Sequence, residues 1–315
     1  MALHLSDAAV AAARRTIMLI EFGDIVSLSA ALGWATTTVM ARHIARSIPA
    51  IWYNALRIGI ASIGMFLLLP WTLGQTDLAQ VSASAFLLLL VSVLAGFALG
   101  DTAFYEGMRR IGVARAAPIA GCHPLVTAML AVVFLGEPVT LALLLGVVVI
   151  GVGVWLITTD QAAVSPTTGA PSSMAIGVGL SLFAAVGWAF STVLVRPALE
   201  EIDPLMASTL RMPVAGVILA LAATRLGRLD SRKLVLSRNT TAWLLASGVL
   251  TVASATLFLW SVELVGAART AALSSVSPIF SATIAVTLMG ERMTVRLALG
   301  MAVSLLGVLM IVVLR

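Results

Sequence analysis

The sequence predicts an all-α multi-pass membrane protein whose ten transmembrane helices form two inverted five-helix repeats. Three observations support this fold class. The chain is 60% hydrophobic and only 10% charged, whereas soluble domains carry roughly 25% charged residues. Its apolar residues fall into ten runs, and most are close to the length of about 20 residues that a helix needs to cross a bilayer. A set of motifs also recurs at a constant offset of 154 residues.

The duplication is visible in motifs that return without any shift in register. Gly33-Trp34-Ala35 returns as Gly187-Trp188-Ala189, and Arg57 returns as Arg211. The other matched pairs are Arg42 with Arg196, Gly112 with Gly266, Arg115 with Arg269, Pro124 with Pro278, Gly136-Glu137 with Gly290-Glu291, Gly146 with Gly300, and Gly153 with Gly307. Because each half holds an odd number of spans, the two halves must have opposite orientations in the membrane, a plan common among transporters.

The first repeat is predicted to cover 23–159, after an N-terminal tail at 1–22. Its apolar runs lie near 23–41, 51–70, 84–108, 113–135 and 139–159. The connectors are short, so neighbouring helices should pack antiparallel. Open sheets are excluded because lipid cannot satisfy their edges, and the runs are too long for the strands of a barrel.

The second repeat is predicted to cover 175–315, after a surface linker at 160–174 that is rich in Ser, Thr, Pro, Gly and Ala. Its runs lie near 175–196, 205–224, 241–263, 267–289 and 294–314. The Lys and Arg residues counted on alternate sides place both termini outside the cell. The basic loop from Arg225 to Arg238 drives that result, and Arg14 and Arg15 oppose it.

The basic residues indicate a membrane surface as the partner. The net charge is +5 and the pI is about 10.6, yet most basic residues lie in short connectors, where they would meet lipid headgroups and not nucleic acid. We therefore expect the lipid bilayer and a small-molecule substrate as partners, with protons as a candidate coupling ion. The expected assembly is a monomer or homodimer in the cell (inner) membrane.

Three ionisable side chains lie inside apolar runs, where a charge costs on the order of 2.5–3.5 kcal/mol. Arg57 and Arg211 could each bind an anionic group such as a carboxylate in a central cavity, or could reach the interface instead. Asp101 could couple transport to protons, or could form a structural ion pair with an arginine. Its counterpart in the second half is Ala255, so the duplication is broken at this position.

Five other residues are candidates for lining the cavity. Tyr105 shares a helical face with Asp101, and His123 precedes a helix-interior proline that should kink the fourth span. Trp34, Trp188 and Trp260 are further candidates, although tryptophans also anchor helices at the membrane interface. The paired glycines Gly146, Gly153, Gly300 and Gly307 are interpreted as close helix packing.

The motifs of several other protein classes are missing. The sequence has no phosphate-binding loop and no His-Glu-x-x-His. Three histidines and one cysteine give no convincing metal site, and no matched catalytic pair is found. We therefore expect no enzyme activity, no catalytic residue, no metal and no cofactor.

The motifs together resemble the EamA domain of the drug/metabolite transporter superfamily. The resemblance rests on Gly-Trp in the first helix, an Arg in the second, and a pattern that reads Gly112-Val-Ala-Arg115, Pro124, Gly136-Glu137, Gly146 to Gly153. The second copy reads Gly266-Ala-Ala-Arg269, Pro278, Gly290-Glu291, Gly300 to Gly307. The resemblance implies a central cavity between the halves and both termini in the cytoplasm, against the Lys and Arg count.

The function that these observations favour is a secondary transporter of a small metabolite that works by alternating access. The resemblance implies export, with an amino acid as an example of the substrate. A multidrug or organic-cation exporter is one alternative. A non-transporting membrane protein, either a scaffold or an intramembrane enzyme, is another, and a channel is a third. A channel would require a wetter pore lining than these helices offer.

Overall fold

The computed structural model describes residues 7–44, 48–73, 78–112, 116, 119–138, 140–158, 171–226, 236–288 and 294–313. The elements formed by these residues are all helices, twelve α-helices and one π-helical segment. Their bounds are α1 Asp7–Ile44, α2 Ala50–Thr72, α3 Ala83–Val93, the π segment Leu94–Gly100, α4 Asp101–Ile111, α5 His123–Leu135, α6 Leu141–Thr158, α7 Pro171–Ala198, α8 Pro204–Leu226, α9 Arg238–Val265, α10 Ala267–Ser274, α11 Ser277–Leu288 and α12 Val295–Val313.

Some of the predictions concern residues outside these ranges. They are Arg115, Gly290, Glu291, most of the linker at 160–174 and most of the basic loop between Arg225 and Arg238. The side chains of Arg14, Arg15, Arg42 and Pro278 also lie outside the described part of the chain.

The helices make up the ten predicted spans, so the fold class is confirmed. Within the described residues, five continuous helices are long and apolar enough to cross a membrane by themselves, and one of them joins α3, the π segment and α4 across Ala83–Ile111. The ninth span consists of α10 and α11. The first helix begins at Asp7, well before the predicted start at 23, because the alanine-rich tail has a high helix propensity and continues the helix.

The helices pair across the two halves in a pseudo-twofold arrangement. Helix α1 packs on α9, and the symmetry-related pair, α7 on the α3–α4 span, is in still more extensive contact. Helix α2 packs on its own counterpart α8, and α6 packs on its own counterpart α12. Two halves that interlock in this way bury the polar residues of both repeats along one central seam.

Two spans are interrupted at equivalent positions. The fourth span turns at Gly121-Cys122 before α5, and the ninth turns at Ser275-Val276 before α11. A proline follows within two residues in each case, and it is tolerated there because the first helical turn has no internal use for its N–H. Interrupted helices leave backbone groups free near the centre of the membrane, which is where carriers form their binding sites.

The glycines of α6 and α12 bring the two backbones into direct contact. A Cβ atom at Gly153 would lie 2.6 Å from the carbonyl oxygen of Gly300, and one at Gly307 would lie 2.7 Å from the carbonyl oxygen of Gly146. Real Cβ atoms do not approach backbone oxygens this closely. The packing interpretation of these glycines therefore agrees with the structure, and small residues let helices approach in lipid.

A Gly153→Ala substitution should lower the thermal unfolding midpoint of the detergent-solubilised protein, because the new methyl group must push α6 away from α12. We expect a loss of about 1–3 kcal/mol, typical of an overpacked contact. Gly151→Ala is the matched control, since no atom lies within 4 Å of a Cβ at that position. A midpoint lowered equally by both substitutions would contradict the proposed contact.

Candidate functional site

A fully buried arginine lies at the centre of the seam between the repeats. The Arg57 side chain in α2 is inaccessible to solvent, and its Nη2 donates to Asp101 Oδ2 at 2.5 Å and to Asn54 Oδ1 at 2.9 Å. Its Nη1 donates to Thr251 Oγ1 at 3.1 Å, and the Tyr105 ring centre lies 5.6 Å from the guanidinium carbon. The burial cost of the cation is thus offset by one carboxylate and two neutral oxygens.

Asp101 links the two repeats. Its Oδ1 accepts a hydrogen bond from Nε1 of Trp188 in α7, in the second repeat, at 2.8 Å. Its Oδ2 pairs with Arg57 of the first repeat. Of the two roles considered for Asp101, the ion pair is the one formed in this structure. Proton coupling stays a prediction.

Asn54 was not singled out from the sequence, yet it organises the centre. Besides accepting from Arg57, it donates to the carbonyl oxygen of Phe97 at 2.7 Å and to Thr102 Oγ1 at 2.9 Å. Phe97 belongs to the π segment, whose wider turn leaves backbone carbonyls available, and such segments are frequent at functional sites. A polar residue three positions before a buried arginine was the one signal that could have identified Asn54.

An aromatic cluster surrounds this network. Tyr53 and Tyr105 meet edge to face, with ring centres 5.0 Å apart, and Phe104 packs between Tyr105 and Trp188. The ring of His123, the first residue of α5, lies 5.7 Å from Trp188. Its Nδ1 is buried without a hydrogen-bond partner in the described part of the chain. The predicted residues Arg57, Tyr105, His123 and Trp188 are therefore brought together around Asp101.

A narrow cleft opens beside the aromatic cluster. The space inside it that solvent can occupy is about 10 Å³, which is room for about one water molecule. Its lining comes from the end of α1, the start of α2 and the end of α4, namely Ala41, Ile48, Ala50, Tyr53, Tyr105, Met108 and Arg109. These helix ends share one face of the membrane, which we call the cleft face. The other face, on which α1 begins and α12 ends, is called the terminal face.

The second arginine, Arg211 in α8, is almost as deeply buried as Arg57 but has no carboxylate partner among the described residues. It is 4% exposed. Its Nη2 donates to Ser191 Oγ at 3.1 Å, and its guanidinium carbon lies 5.8 Å from the Phe97 ring centre. Its Nε has no hydrogen-bond partner among the described residues. The two arginines are thus equivalent in sequence but not in electrostatics.

The two remaining predicted tryptophans differ in position. Trp34 lies at the centre of the seam, with its ring centre 5.8 Å from that of Phe97. Trp260, contrary to the expectation of a cavity-lining role, lies apart from the cluster. It is 38% exposed and packs against Phe22. On α9 it shares a helical face with the exposed Val249 and Ala253, and this periodicity gives the physical reason for its position.

The terminal face is closed by contacts between the repeats. The Glu137 carboxylate accepts from the backbone N–H groups of Ala267 and Ala268, at 2.8 and 3.1 Å. These groups start α10, where a negative charge is favoured by the helix dipole. Gly266, just before them, has φ +82°, and a Cβ there would lie 3.0 Å from Glu137 Oε1.

Two further contacts close the same face. Arg269 binds Asp24 through two hydrogen bonds, at 2.8 and 3.0 Å. Glu201, after α7, accepts from the backbone N–H and the hydroxyl of Ser82, before α3, at 2.7 and 2.9 Å. Each of these pairs joins the first repeat to the second.

Comparison with known proteins agrees with this arrangement. The model of the EamA-like transporter family matches residues 21–159 and again 175–313, two ranges offset by the same 154 residues as the motifs. The chain belongs to the EamA-like transporter family. The resemblance to tandem EamA domains is thereby confirmed, and the protein is a multi-pass membrane protein of a transporter family.

Individual EamA relatives carry names no more specific than this. An "Uncharacterized transporter" of Archaeoglobus fulgidus is 23% identical over 287 residues, 91% of this chain and 96% of the relative. The "Uncharacterized transporter YvbV" of Bacillus subtilis is 28% identical over 141 residues, 45% of this chain and 46% of the relative. A solved crystal structure with 16% identity matches with a TM-score of 0.73 over 92% of this chain and 96% of that one, which shows the fold.

The two arginines should respond oppositely to neutralisation. Arg57→Gln leaves Asp101 buried without its cation, and we expect a loss of about 3–5 kcal/mol. Arg211→Gln removes a charge that has no carboxylate partner among the described residues, so its stability should change by less than about 1 kcal/mol or should rise. Thermal unfolding of both variants in the same detergent tests this contrast, and equal losses would contradict it.

Proposed function

We propose that this EamA-family protein is a secondary carrier that exports a small metabolite, such as an amino acid, by alternating access. The observation that carries the proposal is the buried polar network at the seam. Arg57 and Asp101 from the first repeat are bonded to Thr251 and Trp188 from the second. Polar groups buried at the interface of inverted repeats are where carriers bind their substrates. The export direction rests on the family resemblance.

The substrate site of this carrier would lie among the aromatic side chains that flank the network. Trp34, Tyr105, His123 and Trp188 supply faces on which an apolar substrate body could pack. Arg57 and Arg211 supply charge on either side of the π segment. The interrupted fourth and ninth spans pass the same region, and their free backbone groups could bind the polar part of a substrate.

The alternation of access is supported by the difference between the two membrane faces. The terminal face is closed by Glu137 on α10, by Asp24 on Arg269 and by Glu201 on Ser82, whereas the cleft face carries a small cleft with room for about one water molecule. In an inverted repeat the opposite state exchanges the roles of the two faces. The terminal contacts would then break as the cleft closes.

Organic cations are a weaker candidate for the substrate. A cation exporter needs a buried carboxylate that is available to its substrate. Among the described residues, Asp101 is paired with Arg57, and Glu106 is paired with Arg109 and Arg110. The central acid groups are thus neutralised by the protein itself.

Uptake by the purified full chain in liposomes tests the carrier function. A panel of labelled amino acids and organic cations would be offered with and without a pH gradient. Saturable uptake of an amino acid is the expected result. Saturable uptake of cations alone would favour the exporter of organic cations, and a folded protein that transports nothing would favour a non-transporting role.

Asp101 is the proposed proton-coupling residue, because its carboxylate is bonded to the buried Arg57, whose guanidinium also lies over the ring of the cleft-lining Tyr105. Protonation of Asp101 would weaken its attraction to Arg57 and free the guanidinium. Asp101→Asn should therefore flatten the pH dependence of uptake while keeping the size of the side chain. Thr102→Ala is a control for a nearby polar change without a titratable group. A pH profile unchanged in Asp101→Asn would exclude the coupling role.

Glu137 should act as a releasable closure of the terminal face. Glu137→Ala removes both acceptors from the first amides of α10, and a helix cap of this kind contributes about 1 kcal/mol. Hydrogen exchange of the Ala267 and Ala268 amides should become roughly fivefold faster or more. The control is Glu200→Ala, whose carboxylate is 71% exposed on the same face. Exchange at α10 that is equally fast in both variants would contradict the closure.

A further inference from the structure

We infer that Arg211 anchors a carboxylate-binding site, so that the transported metabolite carries a carboxylate group. This inference rests on the proposed carrier function and specifies its substrate class. It derives from a comparison of two places that the duplication made equivalent, one around Arg57 and one around Arg211. In the first place the arginine is paired with a carboxylate, and in the second place an alanine stands at the position of that acid.

The surroundings of Arg57 show what a complete site contains. The guanidinium binds a carboxylate, Asp101, and that carboxylate is held in turn by the indole N–H of Trp188. Asn54, one turn earlier on α2, supplies a further acceptor. Arginine, carboxylate and indole thus form one chain of charge-assisted hydrogen bonds.

The equivalent place around Arg211 retains the arginine and the indole but not the acid. An offset of 154 residues carries Asp101 to Ala255, Trp188 to Trp34 and Asn54 to Ser208. Ala255 belongs to one apolar cluster with Met212, the neighbour of Arg211, and Trp34 and Phe97 pack against that cluster. The missing component therefore has the size and charge of a carboxylate group.

The donors left at this place are unsatisfied. Nε of Arg211 and Oγ of Ser208 are buried without a hydrogen-bond partner among the described residues. Nε of Arg57 is unpaired in the same way, so the two places differ in Ser208 Oγ and in the acid. Buried polar groups without a partner, such as Nε of Arg211 and Oγ of Ser208, each cost about 1–3 kcal/mol. The indole N–H of the half-buried Trp34 donates to no group in the described part of the chain, whereas that of Trp188 donates to Asp101. A ligand carboxylate would satisfy an arginine and an indole together.

The rest of the ligand is constrained by the aromatic side chains. Phe97 lies between Trp34 and Arg211, with ring centre distances of 5.8 Å to the Trp34 ring and 5.8 Å to the guanidinium carbon. An apolar or aromatic substrate body would pack on these faces. A single guanidinium matches a single carboxylate, so the expected class is a monocarboxylate with an apolar body, which includes apolar amino acids.

Binding measurements on the purified full chain in lipid nanodiscs test this assignment independently of transport. Three probes of similar shape separate the charges, namely phenylacetate (anion), L-phenylalanine (zwitterion) and phenethylamine (cation). We expect binding of the first two and none of the third. Arg211→Gln should weaken phenylacetate binding roughly 10- to 100-fold, the loss of a charge-assisted interaction. Trp34→Phe should weaken it less, because it removes one donor and keeps the ring.

A matched pair of substitutions at Ala255 gives a readout that needs no ligand. Ala255→Asp supplies the missing carboxylate from the protein, and Ala255→Asn adds a side chain of the same size without charge. We expect Ala255→Asp to unfold at a higher temperature than Ala255→Asn and to lose phenylacetate binding. Any packing cost is common to the two variants and cancels in the comparison.

The outcomes separate this inference from the carrier function. The carboxylate site would be overturned if Ala255→Asp were no more stable than Ala255→Asn. It would also be overturned if the protein bound phenethylamine and Arg211→Gln did not change that binding. Uptake of amines by the same protein would then leave the carrier function standing. Arg211-dependent binding of phenylacetate by a protein that transports no probe would support the site and overturn the carrier.

Discussion

The charge of Arg57 is the constraint on which the centre of this molecule depends. A guanidinium fully removed from solvent needs compensation for its lost hydration, and a partner missing from a buried pair costs several kcal/mol. The compensating groups come from other parts of the fold, namely Asp101 on α4, Thr251 on α9 and, through Asp101, Trp188 on α7. These helices can occupy only the arrangement in which all four side chains meet. One buried charge thus fixes how the first repeat meets the second.

The residues that the two repeats share determine how the helices pack, and the residues that differ between the repeats determine the charges at the seam. The glycines that allow close packing are retained in both halves, because backbone contacts such as that of Gly153 with Gly300 tolerate no side chain. Positions that face the seam are under a different constraint, since only their combined charge matters. The first half keeps an acid beside its arginine, and the second has Ala255 there. A duplicated fold can in this way use the arginine of one repeat in a structural ion pair and the equivalent arginine of the other repeat for binding.

The ten spans and the two repeats could be predicted from the sequence, because the lengths of the apolar runs and the spacing of the motifs do not depend on tertiary contacts. The same reading found the ionisable residues that meet at the centre and several of the aromatic ones, but not Asn54, Thr251 or Phe97. Those three lie within apolar runs, and their importance comes from contacts between different spans. Trp260 was a candidate as a tryptophan in an apolar run, and its helical face was not considered. The face shared with Val249 and Ala253 determines its position. The position of Asp101 within its apolar run left both proton coupling and an ion pair open. Whether Asp101 meets Arg57 depends on how α2 packs against α4, which the sequence does not show.

The strengths of the contacts indicate which parts of the structure can move. The Arg57 network is buried, charged and shared by four helices, so breaking it is costly. The contacts of the terminal face are separate from one another. A helix cap contributes about 1 kcal/mol, and the mostly buried Asp24–Arg269 pair joins only two helices. A carrier that alternates must close each face with interactions that thermal motion and substrate binding can break. Separate closures of this kind can open one face while the central network holds the two repeats together. That network would act as the pivot, and Arg211, which lies on the terminal side of it, would become accessible when the terminal contacts break.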